Sequence, residues 1–146
     1  MSSGFHWVIA PDQQLIPGVK KYGDRIEAGI YAVASRWGQS VQDQTRQDAP
    51  WEDRTGNARG GLFYAVDGFG MGEVMGEASA EAKELMKDTT VENGSDNVLI
   101  IAISHTVYYG KFLELSHGGR YAIIMSTIES NLPALERQVQ EYINQL

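Results

Sequence analysis

The sequence predicts an α+β fold: a small, mostly antiparallel sheet with a long N-terminal helix, a short helix and a C-terminal helix packed against it. After residue 18, apolar residues recur every three or four positions, which is typical of an amphipathic helix. Strand-length apolar runs follow at Leu62–Val66, Val98–Ile103 and Tyr121–Met125. A second amphipathic stretch closes the chain, so the order of elements favours a few strands covered by helices on one face.

The first helix is predicted to follow an irregular arm. Residues 1–18 contain Pro11, Pro17 and Gly18, and proline with glycine is typical of loops. The helix is predicted over residues 19–46. Its apolar residues fall on one stripe: Val19, Tyr22, Ile26, Ile30, Val33, Trp37 and Val41. Such a helix is about 42 Å long at 1.5 Å per residue, which exceeds the needs of a small core, so we expect one end to extend beyond it.

The middle of the chain predicts a strand followed by an insertion. Leu62–Val66 has the character of a strand, and closely spaced glycines then break its pattern. Residues 68–97 are therefore predicted to form an inserted loop or hairpin arm. Within it, Ala78–Lys87 is rich in helix-forming residues, and Asn93-Gly94 is a turn signal between two short strands. We expect deletion of Gly70–Lys87 to leave the fold near its original stability.

The last third predicts a short helix, a strand and a closing helix. Thr106–Leu115 is predicted to be helical and to end before Gly118-Gly119. Tyr121–Met125 is predicted to be a strand. The closing helix carries its apolar residues at helical spacing, with Pro133 placed in the first turn, where proline is tolerated. Its apolar residues are Leu132, Leu135, Val139, Tyr142, Ile143 and Leu146.

Composition and charge exclude several classes of protein. A chain of 146 residues suits one domain, spanning 1–146. It contains no cysteine, which excludes disulfide frameworks, thiolate zinc sites and cysteine nucleophiles. Its net charge of −7 disfavours non-specific binding to nucleic acid or to an anionic membrane. No apolar segment approaches the roughly 18 residues that cross a bilayer, and no secretory signal is evident, so the default compartment is the cytoplasm.

The residues suited to catalysis, metal binding or nucleotide binding form no recognised pattern. In the glycine-rich stretch, Glu73 stands where the dinucleotide fingerprint requires its third glycine, and no Gly-Lys-Ser/Thr follows. The spacing of His105, Glu114 and His117 does not place the three on one helix face. The sequence therefore predicts no catalytic residue, no metal site and no cofactor.

Two segments of the chain are distinctive. The first is Trp51-Glu-Asp-Arg-Thr-Gly-Asn-Ala-Arg59, and the second is His105-Thr-Val-Tyr-Tyr-Gly-Lys-Phe-Leu-Glu-Leu115, which is followed by Gly119-Arg-Tyr-Ala-Ile-Ile124. Together they make residues 19–145 resemble the tail-completion, or head-to-tail joining, proteins of tailed bacteriophages, which are often labelled neck or minor tail proteins. The chain departs from that pattern at Ser126-Thr127-Ile128, where the family usually has Pro-Thr-Ile.

The resemblance implies a structural role without catalysis or cofactor. Members of that family form a ring at the junction of the DNA-filled head and the tail. For this chain the resemblance implies a six- or twelve-fold homo-oligomer in the virion neck, with assembly in the host cytoplasm. The implied neighbours are head-side connector or adaptor proteins and tail tube or tail terminator proteins. Genome DNA would pass through without sequence-specific binding, and no membrane is involved.

The contact surfaces are predicted in the two distinctive segments and in the insertion. Their residues are Trp51, Arg54, Thr55, Gly56, Asn57, Arg59, Met71, Met75, His105, Tyr108, Tyr109, Gly110, Leu113, Glu114, Arg120 and Tyr121. For Arg54 and Arg59 two interpretations stay open. Thr55-Gly56-Asn57 forms either a structural turn, which we favour, or a support for an arginine contact between subunits.

Two other functions remain as alternatives. A small metal-dependent or acid–base hydrolase would use His105, Glu114 and His117. A phage assembly or decoration factor would also come from a tailed phage, but it would not lie at the neck of the particle.

Overall fold

The computed structural model describes residues 11–52, 54, 56–77, 80, 84, 97–105 and 110–146. Its helices are α1 (Pro11–Asp48), α2 (Asn57–Gly60), α3 (Gly110–Leu115) and α4 (Ile124–Asn144), with a 3₁₀ turn at His117–Gly119. Its strands are β1 (Leu62–Gly68), β2 (Glu73–Met75) and β3 (Leu99–His105). The predicted α+β fold, with a long first helix, an antiparallel sheet, a short helix and a C-terminal helix, is confirmed.

The sheet has the order β2-β1-β3, and both neighbours run antiparallel to β1. Ala65 pairs with Met75 on one side and with Ala102 on the other. Because side chains alternate along a strand, β1 divides its residues between the two faces of the sheet. Phe63 and Ala65 are buried on one face, with Met75 packed against them. A central strand that is buried on both faces explains its nearly continuous apolar sequence.

Helix α1 covers the other face of the sheet. Ala34 packs with Tyr64 and Val66 in one buried cluster, and Leu99 and Ile101 of β3 extend it. Gly38 lies directly over the Tyr64 ring, and a Cβ atom there would come within 2.5 Å of the ring carbon Cδ2. Glycine at this position therefore lets the helix approach the sheet closely.

Helix α4 runs antiparallel to α1 and is fixed to it by hydrogen bonds at both ends. Near its start, Asn131 accepts a bond from the indole N–H of Trp37 through its main-chain oxygen (2.9 Å) and donates one from its side chain to Gln44 (2.8 Å). Near its end, the Tyr142 hydroxyl donates to the carbonyl of Arg25 (2.9 Å). Helix α1 continues for residues 11–24 on the N-terminal side of this last bond, a length of about 21 Å.

Helix α1 begins earlier than the sequence predicts. Residues 11–18, assigned above to an irregular arm, are helical, whereas residues 1–10 lie outside the described part of the chain. Pro11 is the first described residue of this helix, and its fixed φ suits helical backbone. Pro17 removes one intrahelical hydrogen bond, which a helix of 38 residues tolerates.

The strand predicted at Tyr121–Met125 is wrong, because helix α4 begins at Ile124. The carboxylate of Glu114 accepts hydrogen bonds from the main-chain N–H groups of Ile123 and Ile124, each 3.2 Å long. It thereby satisfies donors that the first turn of a helix leaves unpaired. The earlier start places Pro133 inside the helix rather than in its first turn, which corrects the second expectation for this element.

Part of the predicted insertion belongs to the sheet. Residues 73–75 form β2, and the glycine-rich stretch before it is the turn of the β1–β2 hairpin, with positive φ at Gly70 and Gly72. Gln42, fully buried on α1, accepts a bond from the Tyr64 N–H and donates one to the Glu77 carbonyl. The predicted helix over 78–87 and the strand over 89–92 lie outside the described residues, apart from Ala80 and Glu84, which are helical and exposed.

The strand predicted at Val98–Ile103 corresponds to β3, whose described partner is β1. The short helix predicted over 106–115 corresponds to α3 from residue 110 onwards. Within the described residues, no helix combines the length and the apolar character that crossing a bilayer requires.

Candidate functional site

The Trp51–Arg59 segment folds inwards at the end of α1. The Arg59 guanidinium donates to the main-chain oxygens of Arg46, Ala49 (3.1 Å) and Trp51 (3.0 Å). It also lies over the Trp51 ring, 5.2 Å from the centroid. Helices leave their last carbonyls unpaired, and a cation at that end also interacts favourably with the helix dipole. Arg59 is therefore the side chain that closes the C-terminal end of α1.

Arg46 makes the complementary contacts from α1. Its guanidinium donates to the carbonyls of Leu62 (2.9 Å from Nε), Gly60 (3.3 Å) and Glu77 (2.6 Å). Burial lowers the pKa of Arg46 below its usual value. The two arginines thus join the end of α1, the start of β1 and the segment after β2 through charge-assisted bonds, which are stronger than neutral ones. We call this arrangement the arginine junction.

The arginine junction corrects part of the predicted contact surface. Trp51 is only 8% exposed and packs with Ala58 and Leu62, so it belongs to the core. Gly56 has a φ of +76° at the turn before α2, as the structural-turn interpretation requires. Arg54 is exposed, whereas Thr55 lies outside the described residues and only the backbone of Asn57, the first residue of α2, is described.

Part of the His105–Leu115 segment also faces inwards, whereas Phe112 and Leu115 are 52% and 83% exposed. His105 ends β3 with its side chain only 5% exposed, and its ring centroid lies 6.0 Å from that of Trp51. Gly110, the first residue of α3, fits beneath this imidazole, because a Cβ atom there would come within 2.4 Å of the His105 Cβ. Leu113 joins the cluster formed by Trp51 and Leu62. The two distinctive segments therefore share one part of the core.

His105 and Glu114 lie together, as the alternative of a hydrolase requires. The imidazole Nε2 is 3.8 Å from a carboxylate oxygen, beside a cavity of about 250 Å³ that Lys111 and Ile124 also line. Burial lowers the pKa of His105 to about 4, so the ring is neutral near pH 7. The Glu114 oxygens are engaged by the start of α4, as described above. The side chain of His117 is outside the described part of the structure.

Among the described residues, the polar atoms of His105 and Trp51 stand out. Neither imidazole nitrogen of His105 has a hydrogen-bond partner among the described residues, and the same holds for the indole N–H of Trp51. Within the described ranges, no three histidine, aspartate or glutamate side chains gather in a geometry that holds a metal ion. A buried neutral imidazole beside a capping carboxylate fits a packing role.

Four of the remaining predicted residues are described: Arg120, Tyr121, Met71 and Met75. The Arg120 guanidinium is 5.6 Å from the centroid of the Tyr121 ring, and Tyr121 packs on the Trp51 cluster. Tyr108 and Tyr109 lie outside the described residues. Met71 is exposed in the hairpin turn, whereas Met75 packs on Phe63, so only the first of the two methionines is available to a partner.

Large apolar side chains are exposed on the N-terminal part of α1. Leu15, Ile16, Val19 and Tyr22 are 61%, 62%, 63% and 48% exposed. Their spacing places them on one side of the helix, and we call them the α1 stripe. The sequence predicted that one end of the long helix extends beyond the core, and the α1 stripe lies on that end. The residues of the stripe were not predicted, because residues 11–18 were assigned to an irregular arm. The signal is that Leu15 and Ile16 continue the helical phase of Val19.

Comparison with known proteins gives no match: no family model fits the chain, and no curated protein or solved structure is significantly similar to it.

Proposed function

We propose that this chain is a structural protein of a tailed-phage neck, where it forms a ring that completes the tail and joins it to the DNA-filled head. Two observations support the proposal. One is the resemblance of the Trp51–Arg59 and His105–Leu115 segments to head-to-tail joining proteins. The other is the exposed apolar surface of α1, which is typical of a surface that binds a partner.

The observation that carries most weight is the α1 stripe. Monomeric soluble proteins rarely present several large apolar side chains together without a partner. The four residues of the stripe are each about half to two-thirds exposed. Met71, Val74 and Val98 form a second exposed group at the turn end of the sheet. A subunit of a closed ring needs two different surfaces that pair with each other, and further surfaces for its neighbours above and below.

The residues of the two distinctive segments support the proposal in a different way. In the described structure several of them stabilise the junction between α1, β1 and α3, whereas Arg54, Phe112 and Leu115 are exposed. A subunit under load from a packed genome needs a rigid frame, and charge-assisted bonds to main-chain oxygens provide one. The net charge of −7 suits a conduit that DNA must pass without adhering to it.

Quantitative mass spectrometry of purified particles tests the proposal. We expect the chain in tailed particles at the copy number of a single ring, relative to the major tail protein. Its absence from particles would contradict the proposal, and so would a copy number that scales with the area of the head. The second result would identify a decoration factor, which is the nearest alternative.

The alternative of a hydrolase has its own test. Elemental analysis of the purified chain should find no stoichiometric metal, and no hydrolytic turnover should depend on His105. A bound metal that the His105→Ala variant loses, together with its turnover, would favour the enzyme over the neck protein.

A further inference from the structure

Strand β3 forms one edge of the sheet. It pairs with β1 on one side, and within the described part of the chain no strand pairs with its other side. All seven residues of β3 are partly exposed, whereas six of the seven residues of β1 are buried. An edge strand presents a row of unpaired main-chain N–H and C=O groups, which is a template for pairing with another strand. The outer side of β3 is such a template.

The hydrogen bonds of Tyr64 show how the main chain of β1 is oriented. The Tyr64 N–H donates to the side chain of Gln42 (2.9 Å), and its C=O accepts from the N–H of Gly76 (2.9 Å), which directly follows β2. The main-chain groups of Tyr64 therefore point away from β3. Because successive residues of a strand point these groups to opposite edges, Phe63 and Ala65 point theirs towards β3.

This orientation fixes which groups of β3 point outwards. Ser104 and Ala102 lie opposite the two β1 residues that point towards β3, so their main-chain groups bond β1. Ile101 and Ile103 alternate with them, and their N–H and C=O groups point to the outer edge, one residue on either side of Ala102. No hydrogen bond joins these outward groups to another described residue.

The two edges of the sheet differ in the features that prevent pairing. Short length, charged side chains and proline protect edge strands in natural proteins. At one edge, β2 has three residues and includes Glu73. At the other edge, β3 has seven residues and contains no proline and no aspartate, glutamate, lysine or arginine. Among the described strands, β1 is paired on both sides and β2 is short, so the strand that matches the full length of β3 is β3 of another copy.

The space beside the outer edge is open at the end of β3. A cavity of about 250 Å³ lies between residues 103–105 and helix α3, where Lys111 and Leu115 line it. In an antiparallel pair, this end of β3 lies opposite the beginning of the partner strand. The cavity therefore leaves room for the first residues of that strand.

We propose that β3 of one copy pairs antiparallel with β3 of a second copy, about a two-fold axis at Ala102. In this register all seven residues overlap, and Ile101 lies opposite Ile103 of the second copy. These residues present their free N–H and C=O groups to each other, as in a hydrogen-bonded antiparallel pair. The two sheets then form one sheet of about six strands, which is a common size. No like charges meet, because β3 contains none of the four charged residue types named above.

The pairing concerns the free chain and does not rest on the proposed neck function. A two-fold axis makes the two copies equivalent, whereas a ring between a head and a tail has two different sides. We therefore expect the pair in the purified protein, and its separation when a subunit enters such a ring.

The absence of cysteine makes a disulfide test direct. Ala102 lies on the proposed axis at a non-hydrogen-bonded position, where facing Cα atoms are about 4.5 Å apart, a distance that a disulfide spans. Full-length Ala102→Cys is oxidised mildly at high concentration. We expect several-fold more covalent dimer than from the matched control Ser104→Cys, which lies on the same face but about 13 Å from its own copy along the strands. Mixing Ser104→Cys with Ile100→Cys, which the register places opposite it, should restore the dimer.

Amide exchange of the wild-type chain tests the pairing without a substitution. Nuclear magnetic resonance follows the exchange of individual N–H groups at low and high protein concentration. We expect the amides of Ile101 and Ile103 to exchange several-fold more slowly at high concentration. The amides of Ala102 and Ser104, which bond β1, serve as internal controls and should stay protected at both concentrations.

Any other result overturns the inference. Equal dimer yields from Ala102→Cys and Ser104→Cys would show random collision. Protection of the Ile101 and Ile103 amides that does not depend on concentration would show that the same chain covers the edge, and rapid exchange at both concentrations would show that no second copy pairs there. The denaturation midpoint of each variant verifies that it is folded.

Discussion

At the scale of single residues, the arginine junction is the most informative feature of this chain. Arg46 and Arg59 each bond main-chain oxygens of the segment that carries the other, so the two side chains fix one joint between three elements. The bonds that define the arginine junction all end on main-chain oxygens. Main-chain oxygens are present whatever the sequence, so no residue pattern marks these partners, and the sequence analysis therefore listed Arg59 in the contact surface.

Replacing Arg59 tests the arginine junction. The Arg59→Ala variant leaves three carbonyls without their donor, so we expect the free energy of unfolding to fall by about 2–3 kcal/mol. Urea denaturation measures the change. The control is Arg54→Ala, an exposed position in the same segment, for which we expect a change within about 0.5 kcal/mol. Equal losses for the two variants would contradict the assignment.

His105 gives the fold a defined pH dependence. Its pKa is near 6.5 in the unfolded chain and is lowered by burial to about 4 in the folded one, so between these values the unfolded state binds more protons. Stability therefore falls as the pH falls through this window. We expect its contribution to decrease by about 2 kcal/mol between about pH 7.5 and pH 5.

The measurement compares unfolding free energies of the wild type and of His105→Gln across that window. Carboxylates titrate in both proteins, so the difference between the two curves isolates the imidazole. Parallel curves would show that His105 is not buried in its neutral form.

At the scale of elements, glycines let helix α1 approach both the sheet and helix α4. Gly38 admits the Tyr64 ring and Gly29 admits the ring of Tyr142. Helix propensity alone would favour alanine at both positions by about 1 kcal/mol. The structure therefore predicts opposite effects for the same substitution at different places along α1.

Two alanine substitutions test this contrast. Gly38→Ala forces its Cβ into the buried Tyr64 ring, so we expect a loss of about 1–3 kcal/mol despite the better helix propensity. Gly23→Ala meets nothing within 4 Å, and we expect a gain of up to about 1 kcal/mol. Thermal denaturation of both variants gives the comparison, and stabilisation by Gly38→Ala would contradict the packing described here.

The β1–β2 hairpin changes the expectation for the insertion. Deletion of Gly70–Lys87 removes β2, the contact of Met75 with Phe63, and the Glu77 carbonyl that Arg46 and Gln42 bond. We now expect this deletion to abolish cooperative unfolding. A deletion of residues 80–87 keeps β2 and Glu77 and serves as the control. Retention of wild-type stability by the longer deletion would show that β2 is dispensable.

These elements also show how far the sequence determines the fold. The helical stripe of α1 and the runs at β1 and β3 were predictable because their signals are local and periodic. The start of α4 was not, because its cap is the side chain of Glu114, nine residues earlier, and Tyr-Ala-Ile-Ile alone has strand character. β2 has only three residues beside glycines, too short for a period to show. The candidate site also depends on contacts that no local pattern shows. Trp51 points into the core because of where α1 ends, and the sequence around Trp51 does not show that end.

At the scale of the whole molecule, the described residues form a packed core, and several large apolar side chains stay exposed outside it. The two distinctive segments meet in one core around Trp51 and His105. The α1 stripe lies outside it, with its four residues each about half to two-thirds exposed. A packed core together with an exposed apolar surface suits a subunit that binds its neighbours head to tail, since the core keeps its shape while the outer surface makes the contacts.

The central claim is that the chain joins heads to tails, and electron microscopy of lysates tests it most directly. The phage that encodes the chain is grown with this gene inactivated, with and without the wild-type chain supplied from a plasmid. We predict DNA-filled heads and finished tails that remain separate without the plasmid and joined particles with it. Joined particles in the absence of the chain, whether infectious or not, would contradict the account.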